Sequence, residues 1–288
     1  MFTTIVEVIF SGLVMGAIYS LASVGLSLIF GIMRVVNLAH GCLLVLGAFI
    51  AYSLYYMLIP NTLITTILAA LTVFMLGLFI ERLAIYPFRA SEMRVLMITF
   101  GLGIIIEQII LLRWGAMLIM SPFYILGSID LLGIRLSTQR LVLLAVSVIL
   151  ICGLWLFLMK SKLGKAVRTL AQDEEVAMIF GVAIERIRAL TFALSSALAV
   201  IAGILLNSIY MFQAHAGWEY MLIALAIVIV GGLGDVRGTI IAGILLGLAE
   251  SFVGYLVSPS WKITCFFISI IITLMVRPSG IFRKGKET

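Results

Sequence analysis

Charge is what this sequence has least of. Asp, Glu, Lys and Arg make up 11% of its 288 residues and 64% are apolar. A soluble fold, which spends about a quarter of its residues on charge, is excluded. Cysteine is sparser still. Cys42, Cys152 and Cys265 lie scattered in or beside apolar runs, which suits small packing residues and neither a disulfide frame nor a metal site. No HExxH or CxxC is present. Gly280 to Lys286 begins like a phosphate loop, but Glu287 stands where Ser or Thr would hold magnesium. GGLGDVRG misses G-x-G-x-x-G because Arg237 occupies the third glycine position. Catalytic, cofactor-binding and metal-ligating residues are therefore all expected to be absent. The first basic residue is Arg34, so no cleavable signal peptide with a charged start is expected.

What the chain has in abundance is apolar runs of spanning length, about 20 residues each. They are Ile5–Phe30, Leu43–Ile59, Leu63–Ile80, Val95–Leu112, Leu141–Met159, Leu190–Tyr210, Met221–Val230, Thr239–Val257 and Ile263–Val276. The expected fold is an all-α polytopic membrane protein of eight or nine transmembrane helices. Met221–Val230 is short, so it is either a broken or re-entrant segment or runs on through GGLG. The longest polar gaps hold about thirty residues, too few to fold alone, and residues 1–288 are expected to form one integral domain.

The net charge of +6 sits in loops, which favours membrane orientation over nucleic acid. With the N-terminus outside, fifteen of the nineteen Lys and Arg fall inside, and only Arg113, Arg135, Arg140 and Lys262 fall outside. The C-terminus and the long polar run Lys160 to Arg188 are then cytoplasmic. The outer connections carry Trp114, Tyr124 and Trp218, which suit the interface.

That polar run is the longest charged interruption in the chain. As one helix from Leu163 to Phe180 it is two-faced at the 100° step. Lys165, Arg168, Gln172 and Glu175 fall on one side; Leu163, Ala166, Val167, Leu170 and Ala177 fall on the other, with Glu174 intruding. Gly181 can break the helix before Ile184 begins the next span. Two readings fit: a helix lying on the membrane interface, or one whose apolar face seats in a cleft on a soluble partner while Lys165, Arg168 and Glu175 set specificity at the rim.

Few polar groups lie at membrane depth. Glu107, beside Gln108, and Glu250 are the deep acids, with Glu7 near an outer end; such acids are candidates for function, and no deep Lys, Arg or His offers either a partner. The turn Gly31 to Gly41 gathers Asn37, suited to capping a helix, and His40, suited equally to ligand contact or a structural bond. Asn207, Gln213 and His215 can border an outer vestibule, His215 being simply exposed on a loop. Gly12–Gly16, Gly234–Gly238 and Gly243–Gly247 fit G-x-x-x-G, the spacing that brings helices close, here within the bundle. Phe30–Gly47 and Val230–Gly247 faintly echo each other, each a span, a polar turn and a Gly-rich span.

Several stretches, in order, resemble the LivH-type permease subunit of high-affinity branched-chain amino acid ABC importers. They are GLVMGAIYSLASVGLSLIFGIMRVVNLAHG from Gly12, ERLAIYPFR from Glu81, GKAVRTLAQDEEVAMIFGVAIERIRALTF from Gly164, IVGGLGDVRGTIIAGILLGLAES from Ile229, and RPSGIF from Arg277. Departures fall at Leu38, at Ile85-Tyr86-Pro87 and at Gly234 to Thr239, where two charges enter. The resemblance implies that Gly164, Lys165, Arg168, Leu170, Ala171, Glu175, Ala177 and Gly181 couple the permease to ATPase subunits. Asn37, His40, Gly41, Glu107, Gln108, Asn207 and Glu250 become candidates for the translocation pathway. Implied partners are a LivM-type permease or a second copy, two cytoplasmic ABC ATPases, a periplasmic or extracellular solute-binding protein, a small-molecule substrate and membrane lipid, in a bacterial inner membrane. Urea, amide and simple-sugar importers share the permease type, and an ion-coupled secondary transporter is the rival from another class.

Overall fold

The computed structural model describes residues 2–121, 127–131, 134–278 and 280–281. Tyr124 and the basic tail residues Arg283, Lys284 and Lys286 lie outside the described residues, as does the side chain of Arg135. The helices are α1 (Phe2–Met33), α2 (His40–Met57), α3 (Thr62–Ile80), α4 (Glu92–Trp114), α5 (Thr138–Lys160), α6 (Lys162–Gln172), α7 (Glu174–Ile179), α8 (Ile184–Asn207), α9 (Ala216–Gly231), α10 (Val236–Leu256) and α11 (Lys262–Val276). A two-stranded hairpin, Ser128–Leu131 with Ile134–Ser137, precedes α5. Among the described residues eight helical segments are long and apolar enough to cross a membrane, and α9 is a shorter apolar helix. The short run Met221–Val230 lies within one unbroken helix, α9, which begins earlier, at Ala216. It stops at Gly231 because Gly232 and Gly234 take positive φ, so GGLG turns the chain and does not extend the helix.

The core is built on α1, α2, α8 and α9, with α3, α4, α5, α10 and α11 around them. Burial follows composition. In α1, Ile18, Leu21 and Val24 are fully enclosed, as are Ser20, Ser23 and Ser27. In α3, Leu71, Met75 and Phe79 stay uncovered, as do Ile271, Ile272 and Met275 in α11. Apolar surface on that scale suits lipid or another membrane subunit.

Glycine sets the closest approach. Gly12 and Gly16 of α1 lie against Gly247 and Gly243 of α10, and a Cβ at Gly16 would stand 2.8 Å from the Ile244 Cα. Hydrogen bonds frame this seam. Ser20 Oγ donates to the Ile240 carbonyl at 3.0 Å, and the Thr239 and Ser27 hydroxyls meet at 3.0 Å. Two of the three G-x-x-x-G pairs thus face one another inside the bundle. The third is not a helix motif: Gly234 sits in the turn at φ +82° against Gly31, while Gly238 begins α10 beside Gly231.

The two echoing segments are both helix–turn–helix units, α1 with α2 and α9 with α10, and the last turn of α1, at Gly31, meets the α9–α10 turn at Gly234. This end also carries Arg34, α6 and α7, and is called the basic end below. Ile281 returns to it, its N–H donating to the Val230 carbonyl at 2.9 Å.

Candidate functional site

The polar run emerges at the basic end as two helices. Ser161 caps α6, its Oγ accepting from the Gly164 N–H at 2.8 Å. Gly164 is pressed on the end of α5, where a Cβ would lie 2.5 Å from the Leu158 Cα. The single helix expected from Leu163 to Phe180 divides at Asp173. Its carboxylate accepts from the N–H groups of Glu175 and Val176 at 2.8 and 3.2 Å, offering them a partner outside α6, and its backbone is extended at φ −156°. Asp followed by two Glu is an N-cap signature that periodicity alone passes over.

The apolar face seats on the protein itself, except at Leu163, which is exposed. Leu170 and Ala177 are buried with Ile32 of α1 and Ile187 of α8, so they are not offered to a partner's cleft. Arg168 is also not at the rim: its Nη2 donates to the Met159 carbonyl at 3.3 Å, tying α6 to α5. Glu174 does not intrude but pairs with Arg188 at 2.7 Å. What faces outward is Lys165, Ala171 and Glu175, with an apolar tip at Met178, Ile179 (82% exposed) and Phe180 (77% exposed).

Gly181 ends α7 at φ +70°. Its N–H donates to the Met178 carbonyl and the Val182 N–H to that of Ala177, the pairing that closes a helix through a left-handed residue. Gly181→Val is expected to cost about 1–2 kcal/mol locally, visible as faster proteolysis between residues 173 and 184 with the spans untouched.

The polar groups of the bundle separate into several places. Asn37 Oδ1 accepts from the Ala39 N–H at 3.1 Å and so buttresses the turn; the cap position of α2 is Ala39. His40 is enclosed, Nε2 bonded to the Ala22 carbonyl at 2.9 Å. Gly41 lets α2 cross α9, where a Cβ would stand 2.7 Å from the Met221 nitrogen. Asn207 turns inward, its Nδ2 donating to the carbonyls of Ile119 and Tyr210 at 2.9 and 3.1 Å. Gln108, Gln213 and Glu7 are exposed.

The acids have partners after all. Glu107, buried in α4, receives Trp218 Nε1 at 2.6 Å and pairs with His215 Nδ1. His215 is therefore engaged and not merely exposed. Lys262 Nζ stands 3.8 Å from Glu250 Oε1. Both pairs join helix to loop or helix start across more than ten positions of sequence, where helical spacing carries no signal. Trp114 also has a partner, donating to Ser53 Oγ at 2.7 Å. Glu107→Ala leaves the half-buried Trp218 indole N–H without its carboxylate, so a loss of about 1 kcal/mol and a lower thermal midpoint of the purified protein are expected.

A bundle of long apolar helices, with an amphipathic pair held against one end and two buried acids paired near the other, is the architecture of a multi-pass membrane protein. The chain belongs to the branched-chain amino acid transport system / permease component family, whose model matches residues 8–275. It is 28% identical to the high-affinity branched-chain amino acid transport system permease protein LivH of Salmonella typhimurium, over 97% of this chain and 96% of the relative. It is 29% identical to the permease protein BraD of Pseudomonas aeruginosa, over 94% and 93%. The ribose import permease protein RbsC of Bacillus subtilis matches at 28% over 43% of this chain and 41% of its own. PsaBC from Streptococcus pneumoniae, solved with a Fab, shares the fold alone: TM-score 0.56 and 12% identity, over 97% of both chains.

Proposed function

We propose that this chain is one membrane half of an ATP-driven, binding-protein-dependent importer of branched-chain or related hydrophobic amino acids. The observation that carries the reading is the α6–α7 pair. It is seated on α1, α5 and α8 by Leu170, Ala177, Gly164 and Arg168, yet turns Lys165, Glu175 and the Ile179–Phe180 tip outward. A rigid mount with a free apolar-and-charged tip is what a permease needs to take motion from a separate ATPase. The relatives named for branched-chain amino acid transport match nearly the whole chain, which favours that substrate class over the sugar named for the partial match.

In this reading the chain is a single integral domain of a bacterial inner membrane. The N-terminus lies outside, and the basic end, with the C-terminus, faces the cytoplasm. Two ATPase subunits dock beneath, a LivM-type permease or a second copy completes the passage, and a solute-binding protein delivers the substrate from outside. Uncovered apolar faces on α3 and α11 meet that second subunit and lipid. Purifying the tagged chain is expected to bring down an ATPase pair and a second membrane protein. Leucine-loaded binding protein then stimulates ATP hydrolysis. A chain that purifies without an ATPase, or whose uptake collapses with a proton uncoupler while ATP is held constant, belongs to another class.

A further inference from the structure

At the end of the bundle away from the basic turns, α1, α9, α10 and α11 leave a cavity of about 190 Å³. Glu250 lines it. It is 4% exposed and its Oε2 has no hydrogen-bond partner. It lies six residues inside the end of α10, about 9 Å along the helix axis. Lys262 opens α11 opposite it, Nζ 3.8 Å from Glu250 Oε1 and 3.4 Å from Tyr210 Oη. Tyr19 lies against the same carboxylate, and Glu219 of α9 lines the cavity too.

Both lysine contacts are longer than a good N–H···O bond of about 2.7–3.2 Å, so the ammonium is held loosely. Gly254 makes room for it: a Cβ there would stand 2.6 Å from Lys262 Cε. Ile223 and Phe266 supply an apolar wall. A buried carboxylate, a loosely paired ammonium and a hydrocarbon wall therefore share one small space. Ionised groups at such depth are costly to bury without a partner. A lone metal cation would meet Lys262 as a like charge, and a sugar would bring only neutral hydroxyls. A zwitterion with an aliphatic side chain answers all three surfaces.

We propose that this cavity is a binding site for the free amino acid, its ammonium on Glu250 Oε2, its carboxylate on Lys262 and its side chain against Ile223 and Phe266. The choice of ligand rests on the importer reading above; the binding mode rests on these side chains. The test uses the complete transporter in nanodiscs without binding protein, probed by saturation-transfer NMR with leucine, 3-methylbutylamine and 4-methylpentanoate. Leucine is expected to give a signal in the wild type. Glu250→Gln is expected to weaken leucine and the amine about tenfold, the loss of one charge-assisted contact, and to spare the acid. Lys262→Met is expected to weaken leucine and the acid and to spare the amine, and Glu250→Asp to restore part of the leucine signal. No wild-type leucine signal, or signals that both variants leave unchanged while the thermal midpoint falls, would show a purely structural ion pair and overturn the proposal. If Glu250→Gln does not fold, Lys262→Met decides alone by the same criterion. Uptake by the same transporter with its binding protein separates the two readings. Amino acid uptake without a leucine signal sinks only the cavity site, whereas a leucine signal beside exclusive uptake of another solute sinks the importer reading.

Discussion

Gly16→Leu is expected to remove the folded protein from the membrane fraction almost completely. A Cβ at Gly16 would stand 2.8 Å from the Ile244 Cα and 3.0 Å from the carbonyl oxygens of Gly243 and Ile244. These are backbone atoms of α10, so no rotamer change relieves the clash. Overpacking that flexible side chains can absorb costs about 1–3 kcal/mol; here the α1–α10 seam must separate. Separation would also strain the Ser20 bond to the Ile240 carbonyl and the Thr239–Ser27 contact. Gly12→Leu meets the Leu248 Cα at 2.8 Å and should behave alike. Gly101→Leu and Gly153→Leu are the controls, because nothing lies within 4 Å of a Cβ at either. Monodisperse yield after size-exclusion chromatography reads all four. Equal yields would mean that α1 and α10 do not pack through these glycines.

The second large effect is functional. Gly164→Pro and Arg168→Glu are expected to lower ATP-driven uptake about tenfold to a hundredfold, the range of a lost coupling energy of 1–3 kcal/mol, while the protein stays inserted. Proline at 164 removes the N–H that Ser161 caps and forces a ring against Leu158, where even a Cβ has no room. Glutamate at 168 removes the donor to the Met159 carbonyl and sets a carboxylate beside that oxygen. Both changes loosen the mount of α6 on α5 and leave the outward tip intact. ATP hydrolysis by the assembled complex should then persist without stimulation by loaded binding protein. Lys165→Ala, on the exposed face, should cost far less. Wild-type uptake in both mount variants would remove the coupling role.

Span number and burial were legible in the sequence because twenty apolar residues have few other uses. The glycine seam was legible as spacing but not as pairing: nothing in Gly12–Gly16 says that its counterpart is Gly243–Gly247, more than two hundred residues away. Helical periodicity correctly separated Leu170 and Ala177 from Lys165 and Glu175. It did not say that the apolar side would be spent on Ile32 and Ile187, because a two-faced helix looks the same whether it seats on its own protein or on another. Arg168 went the other way, its long side chain reaching back to Met159 across the polar face. The partners of Glu107 and Glu250 were hidden for a different reason. His215, Trp218 and Lys262 lie in a loop, a first helical turn and a helix start, and only the assembled bundle brings them to carboxylates on other helices.

A single cysteine placed at Lys165 or Glu175, with Cys42, Cys152 and Cys265 replaced by serine, measures most directly whether this face meets a cytoplasmic engine. In right-side-out vesicles a membrane-impermeant maleimide should label neither position until the membrane is opened. Once the membrane is opened, bound ATPase subunits should protect the cysteine at Glu175, on the same helix as the Ile179–Phe180 tip, from the same reagent. Labelling of either cysteine from outside sealed vesicles would place α6 and α7 on the wrong side of the membrane for any ATPase to reach.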